Sequence, residues 1–321
     1  MPGKQRPAVI VYLSCSLTKR RSAGNRSLEL GKNALPRGGD PLYRVMLRWR
    51  RAFEKTGKGC RVRAIDLYGG GVWGDLRTHY EERKKKGIEI RIVSAGMGLL
   101  SPDDRVPVYD ATFAPGSKNA IGGVRGTTAR NREWWRLLGD WNGKWHEPRS
   151  LYATVKQYPK AAHIVALPLD YMNAVLEDLR AIAAENPLWE KTILLAAPYS
   201  FADRLIPGAV EVPGDLYGAL GGTRGTVLAR AGMFVADKLV GESSDRNSVI
   251  AALQPLQAKT RPLPIRITQT NAEIRRYLIK QLRADRSLGR SVILARLRGD
   301  GFACERTRFN KMFEDAREKL G

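Results

Sequence analysis

Two strand-length apolar runs constrain this chain more than any other feature of it. Ala8 to Leu13 (AVIVYL) and Ile88 to Ser94 (IEIRIVS) are too short for core helices and nearly continuous rather than alternating, the mark of strands covered on both faces. Helix-like stretches fall between and after them: about 40–55, with Pro41 suited to a first turn, then 73–86, 170–184 and 226–239. Further strands are expected at Arg61–Tyr68, Ala162–Leu167 and Thr192–Ala197. This βαβ rhythm predicts an α/β fold, a mainly parallel sheet flanked by helices. The first strand then delivers Ser14, Cys15 and Ser16 to its carboxyl end, where such sheets bind ligands.

Beyond Pro255, Pro262 and Pro264 the character of the chain changes. We read residues 1–254 as an α/β catalytic domain, 255–264 as a linker and 265–321 as a small, basic, all-helical DNA-binding domain. Its helices are predicted from Thr270 or Asn271 to Ala284, from Ser287 to Arg298 and from Glu305 to Leu320. Ile274, Leu278 and Leu282 share one face, as do Phe309, Phe313 and Ala316. A tight turn at Gly299-Asp300-Gly301 matches helix-turn-helix spacing and presents Arg306, Arg308 and Lys311 to a major groove. A basic hairpin that grips only phosphates fits nearly as well.

Charge points to the partner. Lys and Arg number 55 against 32 Asp and Glu, a net +23 in 321 residues. That is the footprint of a polyphosphate binder. The surplus gathers in residues 1–60 and 261–321. No apolar run reaches the roughly 18 residues of a membrane span and no basic amphipathic helix has a wide apolar face, so a cytoplasmic protein without membrane contact is expected. Cys15, Cys60 and Cys304 form no CxxC pair and the three histidines are scattered, so neither a disulfide framework, a zinc site nor a cofactor is expected, a carboxylate-bound magnesium being the one metal compatible with this composition. No obligate protein partner is evident.

Polar chemistry concentrates in Ser94–Thr112, SAGMGLLSPDDRVPVYDAT. Ser94, Gly96 and Gly98 would expose backbone at a strand end, Asp103 and Asp104 would place carboxylates on a turn, and Asp110 follows Tyr109, an aromatic able to stack on a base. Caps and ion pairs are the ordinary alternative for each carboxylate. Two copies of GGxRGT, at 122–127 and 221–226, offer glycine turns with an adjacent cation. Gly222, Thr223 and Arg224 of the second copy, and Arg125 of the first, are candidate phosphate contacts. Trp134, Trp135, Trp141 and Trp145 alternate with cations, a pattern for stacking on unpaired bases. Two of the four are expected in the core, and Trp134 and Trp135 are taken as DNA contacts with Arg20 and Arg21.

Three motifs carry a resemblance: Cys15-Ser16-Leu17-Thr18-Lys19 (CSxxK), Ser94 to Asp103 (SAxxGLLxPD) and Pro107 to Thr112 (PYDxT, with Val108 inserted). Together they resemble an uncharacterised bacterial and phage family in the neighbourhood of the peroxide-stress protein YaaA. The specific part covers about thirty residues of the first half and not the helical tail. CSxxK is also similar to an element of archaeosine synthase, which modifies a deazaguanine in RNA; the Pro-Tyr and Ser-x-Ser-His that follow there are missing here, which weakens any implied transfer onto the base. The resemblance implies DNA binding and glycosylase-like handling of nucleobases, with anti-phage glycosylases acting on hypermodified cytosine as further relatives.

The expectation is a DNA glycosylase that flips out and excises a modified base, of the glucosylated hydroxymethylcytosine type, in anti-phage defence. A carboxylate among Asp103, Asp104 and Asp110 would support the sugar cation or activate water, with Lys19 as the alternative, imine-forming nucleophile. Ser14, Cys15, Ser16, Ser94, Gly96, Gly98, Tyr109 and Thr112 would line the base pocket. A nucleobase-modifying transferase and a non-enzymatic DNA-binding regulator are the alternatives.

Overall fold

The computed structural model describes residues 6–16, 18–20, 27–33, 40–56, 60–123, 127–141, 149–197, 208–240, 246–257 and 266–320. They form two compact units, residues 1–260 and 261–321. The expected linker is displaced: Pro255 lies inside a helix, Arg246–Gln257, while 258–265 fall outside the described residues.

The larger unit is an α/β fold. Its main sheet contains β1 (Val9–Ser14), β2 (Ile88–Ser94), β3 (Gly98–Leu100), β4 (Ala162–Ala166), β5 (Thr192–Ala196) and β6 (Val210–Glu211), in the order β6-β5-β4-β1-β2-β3. All neighbours run parallel except β3, which turns back on β2. Val9 lies opposite both Ile88 and Ala162, so β1 occupies the middle and is buried from Val9 to Leu13. This burial on both faces explains its unbroken apolar run.

The helices that shape the site are α1 (Leu42–Glu54), α2 (Gly71–Lys85), α3 (Thr128–Gly139), α4 (Leu169–Ala174) and α5 (Val227–Leu239). Gly232 lets α5 press on the sheet, since a Cβ there would stand 2.7 Å from the Ala166 methyl and 3.5 Å from Val11. The opposite face carries Tyr12, whose hydroxyl meets His163 Nδ1 at 3.0 Å. Two expectations are corrected. Arg61–Tyr68 is a strand only over Arg61–Arg63, paired antiparallel with Arg105–Pro107, and turns helical at Ala64. The single helix expected over 170–184 is broken at Val175, with a second helix at Leu176–Ala183.

The smaller unit comprises α6 (Asn271–Ala284), α7 (Arg290–Gly299) and α8 (Arg306–Leu320). They close over Ile274, Leu278, Leu282, Ile293, Phe309 and Phe313. Thr270 and Glu273 cap α6 reciprocally, the Thr270 hydroxyl accepting from the Glu273 amide and the Glu273 carboxylate accepting from the Thr270 amide. It is not wholly helical: Ile267–Thr268 pair with Phe302–Ala303, so the link between α7 and α8, as long as the expected helix bounds leave, carries a short strand after its glycine turn. Among the described residues no helix is long and apolar enough to cross a membrane.

Candidate functional site

From β1 the chain reaches β2 on one side and returns to β4 on the other, so strand order reverses between β1 and β4. Parallel strands splay their following loops apart at such a point and leave a crevice at the carboxyl ends. A pocket of about 350 Å³ lies there, within the roughly 300–1,000 Å³ of small-molecule sites. Ser14, Cys15, Ser16 and Thr18 contribute from the β1 loop, Pro168, Asp170 and Tyr171 from the β4 loop, and Thr112 from the Tyr109 segment. Gly69, Gly70 and Gly71 open α2 beside it, and Gly225 and Thr226 precede α5. Gly70 has φ +95°, which a Cβ would strain, and a Cβ on Gly69 would stand 3.0 Å from Thr18 Cγ2. Two long helices thus begin at the pocket, and their free amides and dipoles favour an anionic group.

Lys19 follows the pocket-lining Thr18. Its ammonium group is 5.1 and 5.2 Å from the ring centres of Tyr68 and Tyr109 and donates to the Ser16 carbonyl. Burial lowers its pKa below the usual lysine value, while Cys15 and Asp110 pull the other way. Beneath it a hydrogen-bonded row runs from Tyr68 through Tyr109 (2.6 Å) to Ser94 Oγ (2.5 Å). Cys15 Sγ lies 3.2 Å from the Tyr171 hydroxyl. Burial pushes the phenols of Tyr68, Tyr109 and Tyr171 well above their usual range, so they remain protonated.

Asp170 was not anticipated from the sequence. It lines the pocket from the first turn of α4, and burial raises its pKa, with no charge or hydrogen bond from the other described residues offsetting it. A carboxyl group left in this state is suited to proton transfer. Its position directly past the end of β4 was the available signal, as the Gly69-Gly70-Gly71 run before a helix was for the turn.

The other expected residues divide. Ser14, Cys15, Ser16 and Thr112 line the pocket; Ser94 and Tyr109 are fully buried beneath Lys19, so Tyr109 is not free to stack on a base. Asp110 accepts from Asn119 Nδ2 at 2.8 Å and acts on Lys19 through charge. Gly96 packs against the Tyr109 ring and Gly98 forms the β2–β3 turn at φ +79°, both away from the pocket lining.

Asp103 and Asp104, expected at the site, are absent from the pocket lining and are bonded within the fold. Asp103 accepts from Arg63 (2.8 Å), Tyr80 (2.9 Å) and Lys84 (3.0 Å). Tyr80 and Lys84 belong to the later turns of α2, so Asp103 is roughly 14–20 Å along that helix from its pocket end, at 1.5 Å per residue. Asp104 folds back to accept from the Ser101 amide at 2.7 Å.

Trp134 and Trp135 are corrected from DNA contacts to core: their indoles are buried and donate to the Ala95 carbonyl (2.7 Å) and to Asp178 (3.0 Å). Trp141 is buried too. In the second GGxRGT copy, Gly222 and Thr223 shape a turn in which Thr226 Oγ accepts from the Thr223 amide, and exposed Arg224 lies over Gly214. Only the following Gly225 and Thr226 reach the pocket. In the smaller unit Arg306 and Lys311 are exposed, but Arg308 is held by Asn271 and the Gln269 carbonyl, both at 2.7 Å. Arg20 is exposed; Arg21, Arg125 and Trp145 lie outside the described residues.

Among the described residues no three His, Cys, Asp or Glu side chains are grouped to hold a metal ion. No protein-family model, characterised protein or solved structure matches this chain.

Proposed function

We propose that this protein acts in the cytoplasm as a DNA N-glycosylase, holding an extruded, modified nucleotide in the pocket between β1 and β4 and breaking its base–sugar bond. The carrying observation is a nucleotide-sized pocket between two neighbouring strand ends that is lined by the carboxyl of Asp170, with the half-buried amine of Lys19 one residue beyond the pocket-lining Thr18. A net charge of +23 and the exposed cations Arg20, Arg306 and Lys311 supply attraction for the backbone.

In this scheme the Lys19 amine attacks the anomeric carbon, the bond to the base breaks, and the Asp170 carboxyl gives its proton to the departing base. The sugar ring then opens as one amine proton passes to the ring oxygen and the nitrogen lone pair forms the double bond, leaving a protonated imine to Lys19. A lowered pKa increases the neutral, nucleophilic fraction of the amine at neutral pH. Asp110 places negative charge near the iminium that develops.

The test is borohydride trapping on duplexes carrying plain, methylated, hydroxymethylated and glucosylated cytosine, with small products followed by mass spectrometry. A stable protein–DNA adduct and released base are expected with at least one duplex, and both should vanish in Lys19→Ala. Base release without an adduct, retained in Lys19→Ala, moves catalysis to water activated by a carboxylate. No release from any duplex removes the glycosylase reading in favour of a DNA-binding regulator.

A further inference from the structure

A second surface, outside the pocket, has the chemistry of a polyanion site. On α1, Arg44, Arg48, Arg51 and Lys55 recur at intervals of four, three and four and so share one face. Arg48, Arg51 and Lys55, with Ala52, Thr56 and Leu28, line a groove of about 440 Å³. Among the described residues the stripe's ion pair joins Arg48 to Asp40 at 2.9 Å, and no carboxylate reaches Arg51 or Lys55, both exposed.

Helix stability does not account for this stripe. Like charges three and four residues apart repel, and a cation in the first turn, Arg44, opposes the helix dipole, with no acidic residue in that turn and Asp40, just ahead of it, already paired with Arg48. The dipole favours only the last-turn cations. The opposite face of α1 is fixed in place: Trp49 donates to the Gly96 carbonyl at 2.7 Å and meets Tyr109 edge-on, and Phe53 packs against Trp141. On the groove's other wall, Leu28 pairs with Tyr109, the ring beneath Lys19. Adjacent strands lie about 4.8 Å apart. The groove and the floor of the lysine site are therefore two sides of one small strand pair.

We propose that this groove binds the sugar–phosphate backbone of the DNA strand, with Arg51 and Lys55 contacting phosphates and α1 setting the position of that strand relative to the pocket. The proposal rests on the nucleic-acid reading above but not on base excision.

The test measures binding of the full chain to a fluorescent random-sequence duplex across a salt series, comparing wild type, Arg51→Gln/Lys55→Gln, Arg51→Glu/Lys55→Glu and a control, Lys238→Glu, on α5. The double neutralisation should weaken binding at least about tenfold and reduce the log–log salt slope by about 1.8, or 0.9 for each phosphate no longer neutralised. The charge reversal should weaken it further, and the control should change neither quantity. Unaltered affinity and slope in the double variants, an equal loss in Lys238→Glu, or stripe-dependent binding to phosphatidylglycerol vesicles without binding to DNA would each overturn the proposal. Stripe-dependent DNA binding with no base release from any duplex leaves it standing and removes the glycosylase reading. Base release with no stripe dependence does the reverse.

Discussion

The loop after β2 and the loops after β1 and β4 are built from similar residue types and do opposite things. After β2, every prominent polar group is bonded within the fold: Ser94 to Tyr109, Asp104 to the Ser101 amide, Asp103 to Arg63, Tyr80 and Lys84. After β1 and β4 the chain leaves a cavity, a desolvated amine and a carboxyl group that no cation among the described residues pairs with. The denser cluster in sequence is the quieter one in space. A polar residue signals chemistry when its bonding capacity is left over, and that is a property of the packing around it.

The largest effect should separate Asp170 from Asp103. Asp170→Asn keeps the shape and removes the titratable group, so single-turnover base release should fall roughly 10²- to 10⁴-fold. Asp103→Asn should stay within about threefold while lowering thermal stability. Equal losses in both would erase the contrast.

The next test concerns the start of β4, at the end of the strand away from the pocket. His163 is fully buried, and its Nε2 lies 3.0 Å from the Tyr158 carbonyl. A carbonyl only accepts, so Nε2 carries the hydrogen and Nδ1 accepts from Tyr12. Burial lowers the His163 pKa from 6.5 to about 4. The unfolded chain therefore binds this proton first as pH falls: the stability is complete above pH 6.5, declines below it and is lost by about pH 4, a change of roughly 3 kcal/mol. Chemical denaturation between pH 7 and 5 should show the decline, and His163→Gln should flatten it. An identical slope in the variant would assign the effect to other groups.

The smallest effects contrast two glycines. A Cβ on Gly96 would stand 2.6 Å from two carbons of the Tyr109 ring, whereas one on Gly70 meets nothing within 4 Å. Gly96→Ala should cost about 1–3 kcal/mol through overpacking, and Gly70→Ala about 1 kcal/mol through its positive φ. Denaturant midpoints check the order; a larger loss at Gly70 would mean that the pocket turn is packed more tightly than the β2 loop.

The fold was legible because its signals are local. β1, β2, β4 and β5 are apolar runs of strand length, and their ends fall within about a residue of where the sequence puts them. Ser14, Cys15 and Ser16 were legible as pocket residues because they follow an apolar run of strand length. Asp170 was not, because its importance comes from β4 lying next to β1, some 150 residues apart in sequence. Trp134 and Trp135 misled for a related reason. Their flanking cations suggested exposure, but on α3 the indoles face inward and Arg136 faces out. Stretches such as 61–68 were ambiguous between strand and helix, and the antiparallel partner at 105–107 decided how far the strand ran.

The central place of β1 also bears on how the chain is made. Val9 emerges from the ribosome before both its partners, and Ala162 follows it by more than 150 residues. At about 5–20 residues per second, the interval is on the order of ten seconds. Through that time the most apolar segment of the larger unit has one bare edge able to pair with another nascent chain. Translation speed and chaperone supply thus bear on the yield of folded protein through a strand that, once folded, is almost wholly shielded from solvent.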